Sequence, residues 1–257
     1  MIRVLLARWQ QKHRTIRFPD GPPPVLPERF RGLPQLVAAR CQADCRRCVD
    51  ACPTGAIVEA PQAGAATRLT VDLGRCLFCP DCAAACPHQA ITYSNDYRLA
   101  TCTRENLITG EAPLKLAAAL DAKARKIFGR SLRLRQVSAG GCNACEADTN
   151  VLGTVGWDLG RFGVQFVASP RHADGLLITG AVSDNMKLAL EKTWQAVPSP
   201  KIVIAVGACA ISGGPYIDHP EVHNGAAGTV PVDLFVPGCP PHPLTILDGL
   251  LRLLGRL

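Results

Sequence analysis

Residues 76–87 read CLFCPDCAAACP, and residues 41–53 read CQADCRRCVDACP. The last three cysteines of the earlier set recur in the later one at an offset of 34: Cys45 to Cys79, Cys48 to Cys82 and Cys52 to Cys86. The offset runs past the cysteines, since CPTGAI at 52–57 is echoed by CPHQAI at 86–91. Self-similarity at a fixed offset marks a duplicated structural unit. Two-residue gaps let a tight loop present three thiolates to one face, and the fourth cysteine follows on a short helical turn. The proline after each fourth cysteine fixes the backbone where the chain turns away and withholds one amide donor.

Thirteen cysteines in 257 residues could be disulfides, buried apolar thiols or metal ligands. The start, MIRVLLARWQQKHRTIRF, has too short an apolar stretch and no small-residue cleavage site for a secretory signal, and no twin-arginine signal precedes an apolar run. The longest apolar run, around IVIAVGACAI, is interrupted by glycine and falls short of the roughly 18–20 residues of a spanning helix. The expected compartment is a reducing cytoplasm, where disulfide frameworks are rare. Twelve of the thirteen cysteines fall into spaced sets, a pattern that apolar packing does not require. Metal ligation is the reading that explains the spacing.

The later set has the Cys-x2-Cys-x2-Cys-x3-Cys-Pro run of bacterial ferredoxins, in which the fourth cysteine ligates the other of two clusters. That resemblance implies a crossed pairing. One 4Fe-4S cluster would sit on Cys41, Cys45, Cys48 and Cys86, the other on Cys76, Cys79, Cys82 and Cys52. Structural zinc is the competing reading, but eight cysteines with two Cys-Pro endings are foreign to zinc ribbons. Cys41 departs from the pattern, because its gap to Cys45 is one residue longer than usual. Cys102 has no partner at ligand spacing and reads as a packed strand residue.

Beyond the clusters, APLKLAAALDAKARKIF (112–128) has apolar positions at helical spacing and predicts a connecting helix. Strands are then expected at 132–138, 164–168, 176–180, 201–207 and 232–236. Helices are expected between and after them, one capped by Ser183 and one carrying the stripe Leu244, Leu247, Leu251 and Leu254. Alternating strands and helices argue a mostly parallel sheet covered on both faces, and ligands in such sheets gather at the carboxyl ends of the strands. Cys142 and Cys145 in GGCNACEAD follow the first strand, Cys209 in GACA follows the fourth, and Cys239 in PGCPP follows the fifth. Three loops at one edge thus supply four thiolates, a third 4Fe-4S site. Gly140, Gly141, Gly207 and Gly238 would let backbone approach it. The expected fold class is an α+β two-cluster 4Fe-4S ferredoxin domain followed by an α/β domain with a mostly parallel, flavodoxin-like sheet. Its bounds are a basic N-terminal extension at 1–34, the ferredoxin domain at 35–108, a linker helix at 109–131 and the α/β domain at 132–257.

Four stretches, GGCNACEAD, ASPRHADGLLITGAVSDNM, GACAISGGPY and VPGCPPHP, resemble the small subunit of group 4 membrane-bound NiFe hydrogenases of the formate hydrogenlyase type. A related subunit of complex I is similar through PRHAD and PGCPP, but it has adjacent cysteines where this chain has Cys142-x2-Cys145. FRGLP (30–34) and NDYRLATCTRENLI resemble segments flanking the clusters of ferredoxin-type subunits of complex I and membrane-bound hydrogenases. The resemblance implies a fusion of two subunits that are usually separate, acting as an electron wire through three clusters. No nickel site is present, so the NiFe centre would lie on a partner large subunit. Further partners implied are the membrane subunits of a complex I-like assembly, with a formate dehydrogenase or ferredoxin as electron partner. The location implied is peripheral, on the cytoplasmic face of the inner membrane. Two rival readings are a nickel-free, quinone- or sulfur-linked complex I relative and a free-standing polyferredoxin.

The remaining candidates are weaker. Glu146 and Asp148 either relay protons beside the third cluster or favour the first turn of the following helix. Arg171 and His172 either reach the cluster or a partner, or pack a loop. His88, His219, His223 and His242 have no metal spacing, and His13 reads as solvent-facing. Residues 1–50 carry ten Lys/Arg against four acids, while 136–257 carry seven against ten. The basic start, with Arg3, Arg8, Lys12, Arg14 and Arg17 among Val4, Leu5, Leu6 and Trp9, lies on anionic lipid or a membrane subunit, or is a solvated tail. No aromatic pattern or motif supports nucleic acid as a partner.

Overall fold

The computed structural model describes residues 2–12, 14–42, 45–60, 68–110 and 112–257; His13 lies outside them. In the first half, β1 (Pro34–Leu36) pairs antiparallel with β4 (Ile91–Tyr93). A second antiparallel sheet joins β2 (Ile57–Ala60), β3 (Arg68–Asp72) and β5 (Ile108–Thr109). Each cysteine run ends in one short helix, α2 (Arg47–Asp50) or α3 (Asp81–Ala85), that turns its third cysteine, Cys48 or Cys82, inward. The duplication seen in sequence is thus a duplication of loop, helical turn and strand.

The second half holds five parallel strands: β6 (Leu132–Ser138), β7 (Val164–Phe166), β8 (Gly175–Thr179), β9 (Ile202–Val206) and β10 (Leu234–Val236). Their order is β10-β9-β8-β6-β7, all neighbours parallel. Within this domain that is 2-1-3-4-5, the flavodoxin-like order, with its switch point between β6 and β8. Every residue of β8 and β9 is buried, as expected of strands covered on both faces. Leu177 and Ile204 pack on one face with the leucines of α8 (Pro243–Leu253), while Leu176, Ile178 and Val203 pack on the other with Leu190 of α6 (Asp184–Ala196). Ser183 occupies the N-cap of α6, but its hydroxyl makes no capping bond.

Three expectations change. The connecting helix is only α4, Ala122–Phe128. Asp121 starts it by accepting the Ala124 N–H at 2.8 Å, and a mid-segment Asp is a better cap than interior residue. The preceding stretch donates elsewhere, from Ala117 N–H to Ala100 C=O (2.7 Å) and from Leu120 N–H to Leu253 C=O (2.9 Å). Cys102 is not in a strand. It follows Thr101, which forms a single antiparallel bridge with Phe235 and so occupies the open side of β10; the Cys102 thiol donates to Ala118 C=O at 3.5 Å. Finally, most of the N-terminal extension is a strap rather than a tail. Ile16 N–H bonds Gly156 C=O, and the Arg161 guanidinium donates to Ile16 C=O (2.7 Å) and Phe18 C=O (2.6 Å). Phe18 is buried in the α/β core, edge-on to Tyr97. Only α1 (Ile2–Gln11) stands clear, with no buried residue.

The two halves share a core. Leu73, Phe78 and Leu107 of the first half cluster with Ala205, Ala210, Ile211 and Phe235 of the second, and Ser212 donates to Gly74 C=O at 2.8 Å. After β9 the helix α7 (Ala208–Ser212) is one turn long. The cluster-bearing half therefore covers sheet that a longer crossover helix would otherwise cover.

Candidate metal centres

The crossed arrangement is the one the fold brings together. Cys41, Cys45, Cys48 and Cys86 line one cavity, with Leu69, His88 and Ile91 completing its wall. Cys52, Cys76, Cys79 and Cys82 line a second, bounded by Thr54, Val71 and Tyr93. Among the described residues, no three Cys, His, Asp or Glu side chains converge as they would around a single metal ion. Cys41 joins its set despite the longer gap, because a 3-10 turn at Ala38–Arg40 delivers it there.

Burial pushes Cys41, Cys48, Cys76 and Cys79 up, and neighbouring charges add to it. Cys41 is raised by desolvation and then by Cys45 and Cys86. Cys48 is pushed to about 11 by burial and Cys41, and Cys76 to about 12 chiefly by burial. Thiolate charges gathered in a closed space need a compensating cationic group, which is the chemistry of a metal-cluster donor set. The donors for sulfur are also in place. Ala56 N–H reaches Cys52 Sγ and Ala90 N–H reaches Cys86 Sγ, both at 3.2 Å and at equivalent positions of the repeat. Phe78 N–H reaches Cys76 Sγ at 3.3 Å. Tyr93 has no counterpart in the first set: its hydroxyl donates to Cys79 C=O at 2.8 Å and lies 3.3 Å from Cys82 Sγ. Burial, followed by Cys82, raises its pKa.

The third set forms at the carboxyl edge of the parallel sheet. Cys142 follows β6, Cys145 lies in the first turn of α5 (Ala144–Val151), Cys209 lies in α7, and Cys239 follows β10. Cys145 is raised by burial and by Cys209, Cys239 and Cys142; Cys209 is pushed to about 11 by burial, Cys239 and Cys142. Gly207, at φ +92°, is a cradle: a Cβ there would stand 2.5 Å from Cys145 Sγ. Gly214, at φ +56°, plays the same part beside Cys209 Sγ, 2.8 Å from where its Cβ would be. Cys145 and Cys209 are buried, whereas Cys142 and Cys239 are exposed, so the set opens outward on one side. Leu77 and Phe78 of the second cysteine loop line one cavity with Cys239, so the second set lies beside the third.

The two acids separate. Glu146 is buried at the switch point, where burial would raise its pKa, but hydroxyl hydrogen bonds from Ser138 and from Thr179 (2.6 Å) hold it below the usual range. It ties α5 to β8. Asp148 is raised by burial and lines a cavity of about 210 Å³ with Arg31, Phe78, Cys239 and His242. Arg31 donates to Phe78 C=O at 2.5 Å, holding the strap against the second cysteine loop. His242 caps α8 by accepting Leu244 N–H at 3.1 Å, with Phe30 and Trp157 edge-on to its ring. Arg171 and His172 are exposed and make no side-chain hydrogen bond among the described residues. His223 pairs with Asp184 at 2.7 Å, and His219 accepts Glu221 N–H. Sequence reasoning missed Tyr93, Arg31, Gly214 and the place of His242. Only Gly214 left a local trace, in the Gly213–Gly214 pair five residues beyond Cys209.

Residues 142–253 match the family described as NADH ubiquinone oxidoreductase, 20 Kd subunit, and residues 40–90 match a 4Fe-4S dicluster domain. Formate hydrogenlyase subunit 7 of Escherichia coli is 44% identical over 140 residues, which cover 54% of this chain and 55% of that protein. The chain thus spans only about half of that relative. A probable membrane-bound hydrogenase subunit of Pyrococcus furiosus is 42% identical over 132 residues, 51% of this chain and 79% of that one. An NADH-quinone oxidoreductase subunit of Clostridium beijerinckii is 41% identical over 118 residues, 46% of this chain and 70% of that one. With its Cys142-x2-Cys145 spacing, the chain belongs to the family of the NADH ubiquinone oxidoreductase 20 kDa subunit, on the branch of the group 4 membrane-bound hydrogenase small subunits, with a 4Fe-4S dicluster unit joined ahead of it.

Proposed function

We propose that this chain is the electron-transfer subunit of a membrane-associated NiFe hydrogenase complex. It would hold three 4Fe-4S clusters and connect a formate dehydrogenase or ferredoxin with a NiFe centre on a partner large subunit. The ligands would be Cys41, Cys45, Cys48 and Cys86; Cys76, Cys79, Cys82 and Cys52; and Cys142, Cys145, Cys209 and Cys239. When bound, such clusters supply one-electron transfer at potentials set by hydrogen bonds to sulfur, charge and exposure.

The observation that carries the reading is the placement of the three thiol sets in one packed body, with Leu77 and Phe78 of the second cysteine loop lining one cavity with Cys239 of the third. The chain's own residues do the rest. Amides of Ala56, Phe78 and Ala90 stabilise sulfur charge, the shared core excludes water between the halves, and Gly207 and Gly214 admit a bulky group. The exposed side of the third set, at Cys142 and Cys239, is where a large subunit would dock. Asp148 is the better proton carrier of the two acids, since Glu146 is held ionised by its hydroxyl donors. Assembly on the cytoplasmic face of the inner membrane, beside complex I-like membrane subunits, follows from the same reading; no described helix is long and apolar enough to cross a membrane.

The deciding experiment is iron, sulfide and nickel analysis of the complex purified without oxygen. About twelve irons with one nickel per chain support the proposal. About twelve irons without nickel would favour the second reading, a complex I-like oxidoreductase, which the 41% identity to an NADH-quinone oxidoreductase subunit keeps open. Replacing Cys145 with Ser should abolish hydrogenase activity of the complex while the first two clusters remain.

A further inference from the structure

We infer that α1 is an interfacial anchor that lays this chain on an anionic lipid surface. On a helical projection, Ile2, Leu5, Leu6 and Trp9 share an arc of about 100°. They are 75%, 68%, 51% and 78% exposed, the largest run of unburied apolar side chains among the described residues. Among the described residues, nothing covers them. Arg3 and Arg8 stand at the two edges of that arc, and Lys12, Arg14 and Arg17 follow at once. No carboxylate occurs before Asp20. An apolar stripe bordered on both sides by cations, with a tryptophan inside it, matches a headgroup layer: the stripe enters the acyl boundary and the cations remain at the phosphates. A protein groove would need to supply several unpaired acids along both edges of one short helix.

The strap fixes this helix to the body. Thr15 donates to Val155 C=O at 3.2 Å, and Ile16 and Phe18 are held by Gly156 and Arg161. Val155, where the strap docks, is itself 74% exposed. At ten residues, α1 is about 15 Å long and lies along a bilayer surface instead of crossing it. The inference is independent of which redox reaction the complex performs.

The test is flotation of the iron-loaded full chain with vesicles of phosphatidylcholine alone or mixed with phosphatidylglycerol. Binding to the anionic vesicles is expected, with loss in high salt and on neutral vesicles. Leu5→Glu together with Trp9→Glu should abolish it. Changing Arg3, Arg8 and Lys12 to Gln should weaken it by about 100-fold, from roughly fivefold per cation. No residue of α1 is buried, so these variants should keep the iron content of the parent, measured on the same samples. No binding to anionic vesicles, or binding indifferent to both sets of changes, overturns the inference. So does a result in which vesicles are ignored but the Leu5→Glu, Trp9→Glu chain is lost from the purified complex, because α1 would then face a protein subunit.

Discussion

Gly207 shows how narrowly single residues are specified here. At φ 92° and ψ 156° it occupies a region that is essentially glycine-only, and a Cβ would stand 2.5 Å from Cys145 Sγ. Gly207→Ala should therefore cost the third site alone, lowering iron by about four of about twelve per chain, as read by iron analysis and electron paramagnetic resonance. Tyr93 makes a subtler case. Its hydroxyl lies 3.3 Å from Cys82 Sγ, where a hydrogen bond favours the more negative, reduced state. Tyr93→Phe should lower the potential of the second cluster and leave the others unchanged in a redox titration. The cysteines were legible because ligand spacing is a local property written in the chain. Tyr93 and Arg31 were not, because each reaches its target from a different strand or strap, and no spacing encodes that meeting.

At the level of elements, Glu146 and Thr179 pin α5 to β8 across the switch point. Thr179→Val removes one donor from a buried carboxylate and should destabilise the fold by about 1–3 kcal/mol in denaturant unfolding. The pH dependence has a definite sign. Because its folded pKa is lowered, Glu146 contributes stability above the ordinary glutamate value of 4.5 and loses it as pH falls through the lower folded value. In the valine variant the folded value moves back toward the ordinary one, so that loss should be smaller and complete at a higher pH. Leu247, wholly buried on α8, should cost about 2–5 kcal/mol when cut to alanine. The strands were readable to within two residues because burial on both faces leaves short, nearly continuous apolar runs, as in IVIAV. The segment 112–128 misled because apolar residues at helical spacing also suit an extended chain docked on a core. Its true start is betrayed only by Asp121.

For the whole molecule, the unexpected feature is that the halves are not beads on a linker. Ala205 and Phe235 look like ordinary sheet residues in sequence, and Ile211 like part of the loop after a strand, yet all three pack against Leu73 and Phe78 of the cluster-bearing half. Residues 132–257 expressed alone should expose that face and self-associate more than the full chain by light scattering. The strap carries this integration into time. Ile16 and Phe18 bind a guanidinium 145 and 143 positions later in the chain. At roughly 5–20 residues per second of synthesis, the N-terminal segment waits roughly 7–30 s for its dock to be made. The Arg31–Phe78 contact, which spans 47 positions, can form earlier than the strap's docking on Arg161. The fold is therefore closed by contacts that its first residues make only after more than half of the chain has been synthesised.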